Sequence, residues 1–369
     1  MREYALVFLV AAAVTYLLTP LARRFAVKIG AMAVPRDRDV HAIPTPRMGG
    51  LAMYGGVLAS LLVAAHLPVL RTVAQTYDEP RAVAIAGGVI VLLGMVDDRW
   101  ELDALTKLAG QIMAAGVMVL LGVRLASVVL PGMHGDIVLT NDVGVPLTVL
   151  LAVLLVNAIN FIDGLDGLAA GVVGIAAAAS FTFSYSLSAH HQLLRAQPAT
   201  LIAAILAGVC VGFLPHNFAP ARVFMGDSGT MLIGLMLAAS TTSITGEVDY
   251  GSAGLSESLP LLVPVLVPVL VLAVPFVDLL LAVVRRTRAG RSPFSPDKQH
   301  LHHRLLELGH SQRRAVLLMY VWSALLGFGG VLISVSHGPA LPVSVLAGAL
   351  MLGLVTAALP RLRSRAPHP

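Results

Sequence analysis

The chain contains 369 residues, of which 57% are hydrophobic and only 12% are charged, and its mean hydropathy is +0.84. A typical soluble domain carries about 25% charged residues, so this composition excludes an ordinary soluble protein and indicates one embedded in lipid. The formal net charge of +5 requires no nucleic-acid partner, because the basic residues follow a membrane pattern.

Eleven apolar stretches are predicted to be membrane-spanning helices, since a helix needs about 20 apolar residues to cross the bilayer core. They cover residues 3–22, 47–67, 81–96, 106–123, 144–159, 167–188, 199–215, 228–246, 259–284, 314–336 and 340–359. We therefore predict an all-α polytopic membrane protein with a single domain over residues 1–369. The spans are rich in Gly and Ala, which permits close helix packing and also a homodimer.

The basic residues predict the orientation of these spans. If the N-terminus lies outside, 20 of the 25 Lys and Arg residues fall on one face and five on the other. Basic residues accumulate on the cytoplasmic face of membrane proteins. We therefore predict a protein of the cell membrane with a cytoplasmic C-terminus. Its longest cytoplasmic loop covers residues 285–313, and four polar clusters fall on the same face.

The first cluster is a pair of adjacent carboxylates, Asp97 and Asp98, at the end of the third predicted span. Such a pair at a membrane boundary is costly unless a cation or a basic group compensates its charge. A solvated helix end beside Arg99 and Lys107 would explain the pair, and so would a metal site. Adjacent residues on a helix face different ways, so a helical pair would not chelate one ion well.

The second cluster contains Asn160, Asp163 and Asp166, whose spacing would place them on one face of a helix. The glycines beside the two acids allow a ligand to approach the backbone closely. Part of this pattern, Asp-Gly-x-x-Ala, is shared with membrane phosphotransferases that use CDP-alcohols. Those proteins continue with Arg, whereas Ala169 is followed here by Ala170, which disfavours that class.

The third cluster places Asp227 between two glycines at the start of the eighth predicted span. A helix N-cap would be a sufficient role for Asp227 or Ser228. A helix N-terminus also binds anions, and a carboxylate beside it can hold a metal ion that bridges to phosphate. Magnesium suits such a site, because it binds one or two carboxylates together with phosphate oxygens and water.

The fourth cluster, in the long cytoplasmic loop, contains three histidines and an arginine: His300, His302, His303 and Arg304. Three histidines in four residues can ligate zinc. The basic neighbours favour an anion over a cation, so a phosphate-binding role is the preferred interpretation. Carboxylates suited to magnesium and basic groups suited to phosphate, all next to lipid, indicate phosphoryl transfer to an amphiphile.

Five segments in this order resemble the polyprenyl-phosphate N-acetylhexosamine-1-phosphate transferases, a superfamily that includes the phospho-muramoyl-pentapeptide translocase. They are residues 41–50 (His-Ala-Ile-Pro-Thr-Pro-Arg-Met-Gly-Gly), 96–98 (Val-Asp-Asp), 160–167 (Asn-Phe-Ile-Asp-Gly-Leu-Asp-Gly), 224–229 (Phe-Met-Gly-Asp-Ser-Gly) and 300–304 (His-Leu-His-His-Arg). The resemblance implies transfer of a sugar 1-phosphate from a UDP-sugar to a polyprenyl phosphate, with UMP released. It also implies a need for Mg²⁺, which Mn²⁺ can replace. The His-x-His-His-Arg form resembles the branch that uses UDP-N-acetylglucosamine, and UDP-MurNAc-pentapeptide is the alternative donor.

The resemblance also implies roles for single residues. Asp227 and Asp98 would ligate the metal ion, and Asp97 or Asp98 would take the proton from the acceptor phosphate. Asp163, with Asn160 and Asp166, would form the nucleotide side of the site. Phe224 would stack on uracil. Lys107 and the histidine cluster would bind phosphates, and Arg47 and His41 could do the same or could simply belong to a basic cytoplasmic loop.

An ion-coupled transporter is the competing class of function. Transporter sites lie near the bilayer midplane, often at broken helices. Here the acids lie at the ends of spans, and Asp278 alone is placed clearly within a predicted span. The acid placement therefore favours the transferase.

Overall fold

The structure, a computed structural model, describes residues 1–33, 44–128, 137–190, 196–245 and 311–335, with the single positions 287 and 348. Within these ranges the chain forms ten helices: α1 (Arg2–Ile29), α2 (Gly49–Ala64), α3 (Pro68–Thr76), α4 (Glu79–Trp100), α5 (Ala104–Leu120), α6 (Asn141–Ile162), α7 (Leu168–His190), α8 (Gln197–Asn217), α9 (Gly226–Thr245) and α10 (Gln312–Val335). Two short antiparallel pairs join them, β1 (Met32–Ala33) with β2 (Thr45–Pro46), and β3 (Ser127–Val128) with β4 (Ile137–Val138).

Six of these helices are long and apolar enough to cross a membrane, namely α1, α4, α6, α7, α8 and α10. The pair α2 and α3 would add a seventh span, although the chain bends by 106° between them. The protein was predicted to be an all-α polytopic membrane protein, and the structure confirms that it is mostly helical with several candidate membrane spans. A helix also covers part of each of nine predicted spans, while the predicted span 259–284 and, apart from position 348, the predicted span 340–359 lie outside the described residues.

Several helices run beyond the ends predicted from hydropathy. The third predicted span, 81–96, is part of the longer α4, which includes both aspartates, and the fifth, 144–159, is part of α6. The first span continues to Ile29, where Gly30 ends the helix in the left-handed conformation with φ of 74°. Helix ends depend on hydrogen bonding and capping, which an apolar window does not detect.

The centre of the described bundle is α8, which is buried along almost its whole length. Two of its glycines allow α1 to approach closely: a Cβ built on Gly208 would lie 2.5 Å from Phe8 O, and one on Gly212 would lie 2.2 Å from Ala12 O. Small residues serve this purpose in membrane bundles. Helix α8 also packs against α7, and α9 packs against both α4 and α6.

The first turn of α9 is pressed against two other helices. A Cβ built on Gly50 of α2 would lie 2.2 Å from Gly229 N, and one built on Gly94 of α4 would lie 2.3 Å from Ser228 Cα. No side chain fits in either gap. Glycine at these two positions therefore brings the N-terminus of α9 next to the C-terminal end of α4.

At the other end of the bundle, α3 is capped by a carboxylate from a different helix. Both oxygens of Glu3, on α1, accept hydrogen bonds from backbone N–H groups at the start of α3, those of Val69 (3.0 and 3.1 Å) and Leu70 (2.9 Å). The first N–H groups of a helix have no intrahelical acceptor, so this carboxylate stabilises α3 after the bend.

Candidate active site

Asp98 caps α9 from the end of α4. Its Oδ1 accepts a hydrogen bond from Asp227 N (2.8 Å), and its Oδ2 accepts from Ser228 N (3.2 Å) and Ser228 Oγ (2.8 Å). Gly226 is required beside it, because φ is 69° there and a Cβ would lie 2.4 Å from Asp98 Oδ2. The cap that the sequence suggested for Asp227 or Ser228 is therefore supplied by Asp98 on another helix, which leaves the Asp227 carboxylate available to other groups.

Asp97 faces a different neighbour, as expected for adjacent residues on a helix. Lys107 Nζ, on α5, donates to Asp97 Oδ2 at 2.9 Å and also to Asp227 Oδ2. The N–H of Leu102 donates to Asp97 Oδ1 at 2.8 Å. Lys107 is thus the basic group that compensates Asp97, whereas Arg99 lies over the Trp100 ring, 5.7 Å from its centroid.

Asn160 completes the surroundings of Asp227. Its Nδ2 donates to Asp227 Oδ1 and, at 3.0 Å, to Thr230 Oγ1. Three helices, α4, α5 and α6, therefore converge on the first turn of α9. Thr230 was not identified from the sequence, although it lies one turn after Asp227 on the same helix.

The chain leaves the helix after Ile162, which corrects the predicted helical face. Because α6 ends at Ile162, Asp163 and Asp166 lie in a connection that we call the acidic loop (residues 163–167). Gly167 has φ of 81°, a conformation that favours glycine, and this residue turns the chain into α7. Asp166 Oδ2 accepts a hydrogen bond from Ala221 N at 3.0 Å, which ties the acidic loop to the connection between α8 and α9.

Asp163 lies among other negatively charged side chains. Burial raises the pKa of its carboxyl to about 7. Three neighbouring carboxylates shift the pKa in the same direction, those of Asp227, Asp98 and Asp166. The guanidinium of Arg47 opposes the rise and is therefore close enough to act on the site.

Backbone pairing brings Arg47 and Phe224 together. Phe224 lies in the connection from α8 to α9, here called the Phe224 loop (residues 218–225). Its N–H donates to Pro46 O at 2.8 Å, and its C=O accepts from Gly49 N at 3.0 Å. The segment between β2 and α2 thus holds the Phe224 loop from one side, and the Phe224 ring is partly buried there.

Two further residues hold the acidic loop and were not assigned a role from the sequence. Asn217, buried at the end of α8, accepts from Gly167 N through Oδ1 (3.1 Å) and donates through Nδ2 to Val223 O (3.0 Å). Tyr320 of α10 donates its hydroxyl to Gly167 O. Asn217 opens the polar segment that contains Asp227, whereas no local pattern singles out Tyr320.

The remaining predicted site residues lie outside the described part of the chain. They are His41, His300, His302, His303, Arg304 and, within a predicted span, Asp278. The structure therefore brings together seven predicted side chains, with Phe224 beside them: Arg47, Asp97, Asp98, Lys107, Asn160, Asp163 and Asp227. Asp166 joins them through the acidic loop.

Comparison with known proteins places this site in a family. Residues 81–245 match the family described as Glycosyl transferase family 4. The chain is 50% identical over 367 residues to decaprenyl-phosphate N-acetylglucosaminephosphotransferase of Mycolicibacterium smegmatis. This match covers 98% of the present chain and 90% of the Mycolicibacterium protein. The chain is 31% identical over 325 residues to undecaprenyl-phosphate alpha-N-acetylglucosaminyl 1-phosphate transferase of Salmonella typhimurium, covering 86% and 80%. The chain belongs to the polyprenyl-phosphate N-acetylhexosamine-1-phosphate transferases.

The family match encloses most of the transferase site. Residues 81–245 run from α4 to α9 and include the aspartate pair, Lys107, the acidic loop and Asp227. Arg47 precedes the matched segment, and α10 follows it. This phosphotransferase therefore uses elements from outside the matched segment to surround its central acids.

The acids suit a divalent cation that is shared with a phosphate ligand. Among the residues that the structure describes, no group of three His, Cys, Asp or Glu side chains forms a self-contained metal site. Magnesium needs only one or two carboxylates when phosphate oxygens and water supply its other ligands. The ammonium of Lys107 between Asp97 and Asp227 shows that these oxygens attract positive charge, so the donor set fits Mg²⁺.

Proposed function

We propose that this transferase moves N-acetylglucosamine 1-phosphate from UDP-N-acetylglucosamine to a polyprenyl phosphate. The products are polyprenyl-diphosphate-N-acetylglucosamine, an early intermediate of a cell-envelope glycan, and UMP. The observation that carries the proposal is the convergence of Asp97, Lys107, Asn160 and Asp227 at the end of a membrane helix. The names of the relatives, which specify a polyprenyl phosphate and N-acetylglucosamine, support the choice of substrates.

The reaction exchanges one phosphoanhydride bond for another. An oxygen of the polyprenyl phosphate forms a bond to the phosphorus that bears the sugar. The bond from that phosphorus to the bridging oxygen breaks, and its electron pair leaves with UMP. Nucleophile and diphosphate are both anionic, so catalysis depends on positioning and on cancelling negative charge.

The central residues divide these tasks in the proposed mechanism. Asp97, next to the lipid boundary, accepts the proton of a monoprotonated acceptor phosphate. Lys107 lies between Asp97 and Asp227 and can turn its ammonium from these carboxylates to a phosphate oxygen. Asp98 holds the first turn of α9, so it fixes the place of Asp227.

Asp227 is the principal proposed ligand for Mg²⁺, with Mn²⁺ as a substitute. Its side chain is 26% exposed, whereas that of Asp97 is 8% exposed. Asp98 stays a predicted second ligand, although both its oxygens already accept hydrogen bonds from α9. When bound, the ion supplies positive charge to the diphosphate and to the departing UMP.

The UDP-sugar is proposed to bind at the acidic loop and the Phe224 loop, which the hydrogen bond between Asp166 and Ala221 joins. Asp163 and Asp166 are placed there to bind the nucleotide, with Phe224 stacked on uracil. The positive charge of Arg47 acts on Asp163, and Arg47 is therefore proposed to bind a donor phosphate there. The cluster His300, His302, His303 and Arg304 is proposed to bind the donor phosphates as well.

We further propose that the whole chain, residues 1–369, forms one membrane domain of eleven spans. Its N-terminus lies outside, its C-terminus and the loop 285–313 are cytoplasmic, and the site opens to the cytoplasm of a cell membrane. The distribution of 20 basic residues on the proposed inner face supports this orientation. A cytoplasmic opening gives a nucleotide donor access, and the bilayer holds the lipid acceptor.

The experiment that tests the function is release of UMP by purified protein. The protein receives Mg²⁺, a polyprenyl phosphate and either UDP-N-acetylglucosamine or UDP-MurNAc-pentapeptide, and an otherwise identical reaction lacks the acceptor. We expect UMP with the first donor only, and only when the acceptor is present. UMP with the second donor alone would keep the reaction and correct the sugar. Folded protein that releases no UMP from either donor would refute the proposal.

A further inference from the structure

One helix outside the matched family segment contacts both loops of the proposed donor side. Tyr320 of α10 donates its hydroxyl to the carbonyl of Gly167, at the end of the acidic loop. Two helical turns earlier, Arg313 Nε donates to Ala219 O in the Phe224 loop, 2.7 Å away. The N-terminal half of α10 thus braces two loops that are far apart in sequence.

The tyrosine ring occupies a space that only glycine leaves open. A Cβ built on Gly171 would lie 2.0 Å from Tyr320 Cζ, and one on Gly167 would lie 3.3 Å from Tyr320 Oη. The N–H of Gly167 is bonded as well, to Asn217 Oδ1 at 3.1 Å. Both backbone polar groups of Gly167 are therefore bonded to side chains of other helices, which fixes the end of the acidic loop.

We propose that Tyr320 is a positioning residue for the UDP-sugar, an inference that rests on the proposed function. Its hydroxyl fixes Gly167, and the next residue back along the chain is Asp166. Asp166 in turn accepts from Ala221 N at 3.0 Å, so displacement of Gly167 disturbs both loops. Arg313 holds the Phe224 loop in the same way. Helix α10 is then part of the donor site as well as a membrane span.

The test replaces Tyr320 by Phe, which removes the hydroxyl and leaves the ring against Gly171. Tyr54→Phe is the matched control, because Tyr54 Oη also donates to a backbone carbonyl of another helix, that of Ala84, 2.8 Å away. Loss of one such bond corresponds to a change of roughly three- to tenfold. We expect Tyr320→Phe to raise the KM for UDP-N-acetylglucosamine by that factor with kcat nearly unchanged, and Tyr54→Phe to leave both constants unchanged.

A second variant and a readout without turnover make the result decisive. Arg313→Met, compared with Arg314→Met, should raise the donor KM in the same way. Hydrogen exchange of the peptide that covers the acidic loop should be faster in Tyr320→Phe than in wild type or Tyr54→Phe. Unchanged exchange and unchanged donor KM would overturn the positioning role. Wild-type protein that releases no UMP would instead refute the proposed function, whatever the exchange shows.

Discussion

At the scale of single residues, Lys107 reduces the repulsion between two carboxylates of the site. Its ammonium contacts one carboxylate from α4 and one from α9, and Asn160 contacts the second of these from α6. Without a cation, carboxylates this close at a membrane boundary would repel one another. The lysine therefore stabilises the arrangement that we propose for binding a metal and phosphate.

Asp227→Asn removes a negative charge from this arrangement but keeps the size of the side chain. We expect UMP release to fall by roughly 10³-fold, because the charge that binds the metal is lost at the reacting phosphates. Asp142→Asn, an exposed acid at the start of α6, is the control and should keep the wild-type rate. A near-normal rate for Asp227→Asn at ordinary Mg²⁺ concentrations would remove Asp227 from the site.

Asp163 makes stability depend on pH in a defined direction. Its pKa rises from 3.8 to about 7 on folding, so the folded protein holds this proton more tightly than the unfolded chain. The stabilisation is fully present below pH about 4 and is lost as the pH rises through about 7. Without Mg²⁺, the thermal midpoint of wild type should fall relative to that of Asp163→Asn between these values. A difference in midpoint that does not change with pH would contradict this assignment.

At the scale of elements, two helices depend on a carboxylate supplied by another helix. Asp98 of α4 caps α9 at the site, and Glu3 of α1 caps α3 at the opposite end of the bundle. Each cap accepts bonds from the free N–H groups of a first turn. The two caps are chemically matched, but only the first lies next to Asp227.

This pair separates stability from catalysis. Asp98→Asn and Glu3→Gln each replace one accepting oxygen by an amide NH2, which cannot accept from the backbone N–H groups of the capped helix, so each should lower the free energy of unfolding by about 1–2 kcal/mol. Only Asp98→Asn should also lower kcat, by roughly tenfold or more, since Asp227 loses its fixed position. Thermal unfolding in detergent and UMP release measure the two effects. Equal loss of kcat in both variants would show that the effect is global destabilisation.

The sequence predicted which helices exist better than where they end. Hydropathy located α4, but the helix continues to Trp100 because its last turns are held by contacts that an apolar window does not register. The spacing of Asn160, Asp163 and Asp166 predicted one helical face, which is wrong because the chain leaves the helix after Ile162. Local patterns thus identified the acids and misjudged the backbone that carries them.

The partners of these acids could not be predicted from local patterns. Lys107 was a neighbour in sequence and was identified, whereas Thr230, Asn217 and Tyr320 contact residues between 50 and 153 positions away. Such contacts follow from how helices pack and leave no periodic signal in a single chain. In the sequence, Tyr320 looks like an ordinary residue of a membrane helix. Its role becomes visible only when the structure places it against Gly171 and Gly167.

At the scale of the whole molecule, the proposed orientation is open to a direct test. The 22 residues of α4 span about 33 Å, so its two ends reach opposite membrane surfaces. Ala104 follows the end of α4 that the proposed orientation places inside, Gln75 precedes the end that it places outside, and both residues are exposed. The native Cys210 is buried, so it should contribute little labelling of its own when a cysteine is introduced elsewhere.

A membrane-impermeant maleimide should label Gln75→Cys in intact cells and Ala104→Cys only in inverted vesicles. Detergent-solubilised protein, in which both positions are accessible, is the control for reactivity. The prediction follows from the excess of basic residues on the proposed inner face. Labelling of Ala104→Cys from outside would reverse the orientation and place the site on the wrong side for a cytoplasmic nucleotide.

The burial of α8 has a consequence for how the chain tolerates mutation. In its most apolar window 83% of the residues are buried inside the protein, against 28% for α1, although both helices are equally suited to a bilayer by hydropathy. In a saturation mutagenesis experiment, α8 should reject larger side chains at Gly208 and Gly212 as firmly as it rejects polar ones. Exposed apolar positions on α1 such as Leu9 and Leu17 should accept any apolar residue. Mutational tolerance would thereby distinguish the helix that forms the core from the helices that face the lipid.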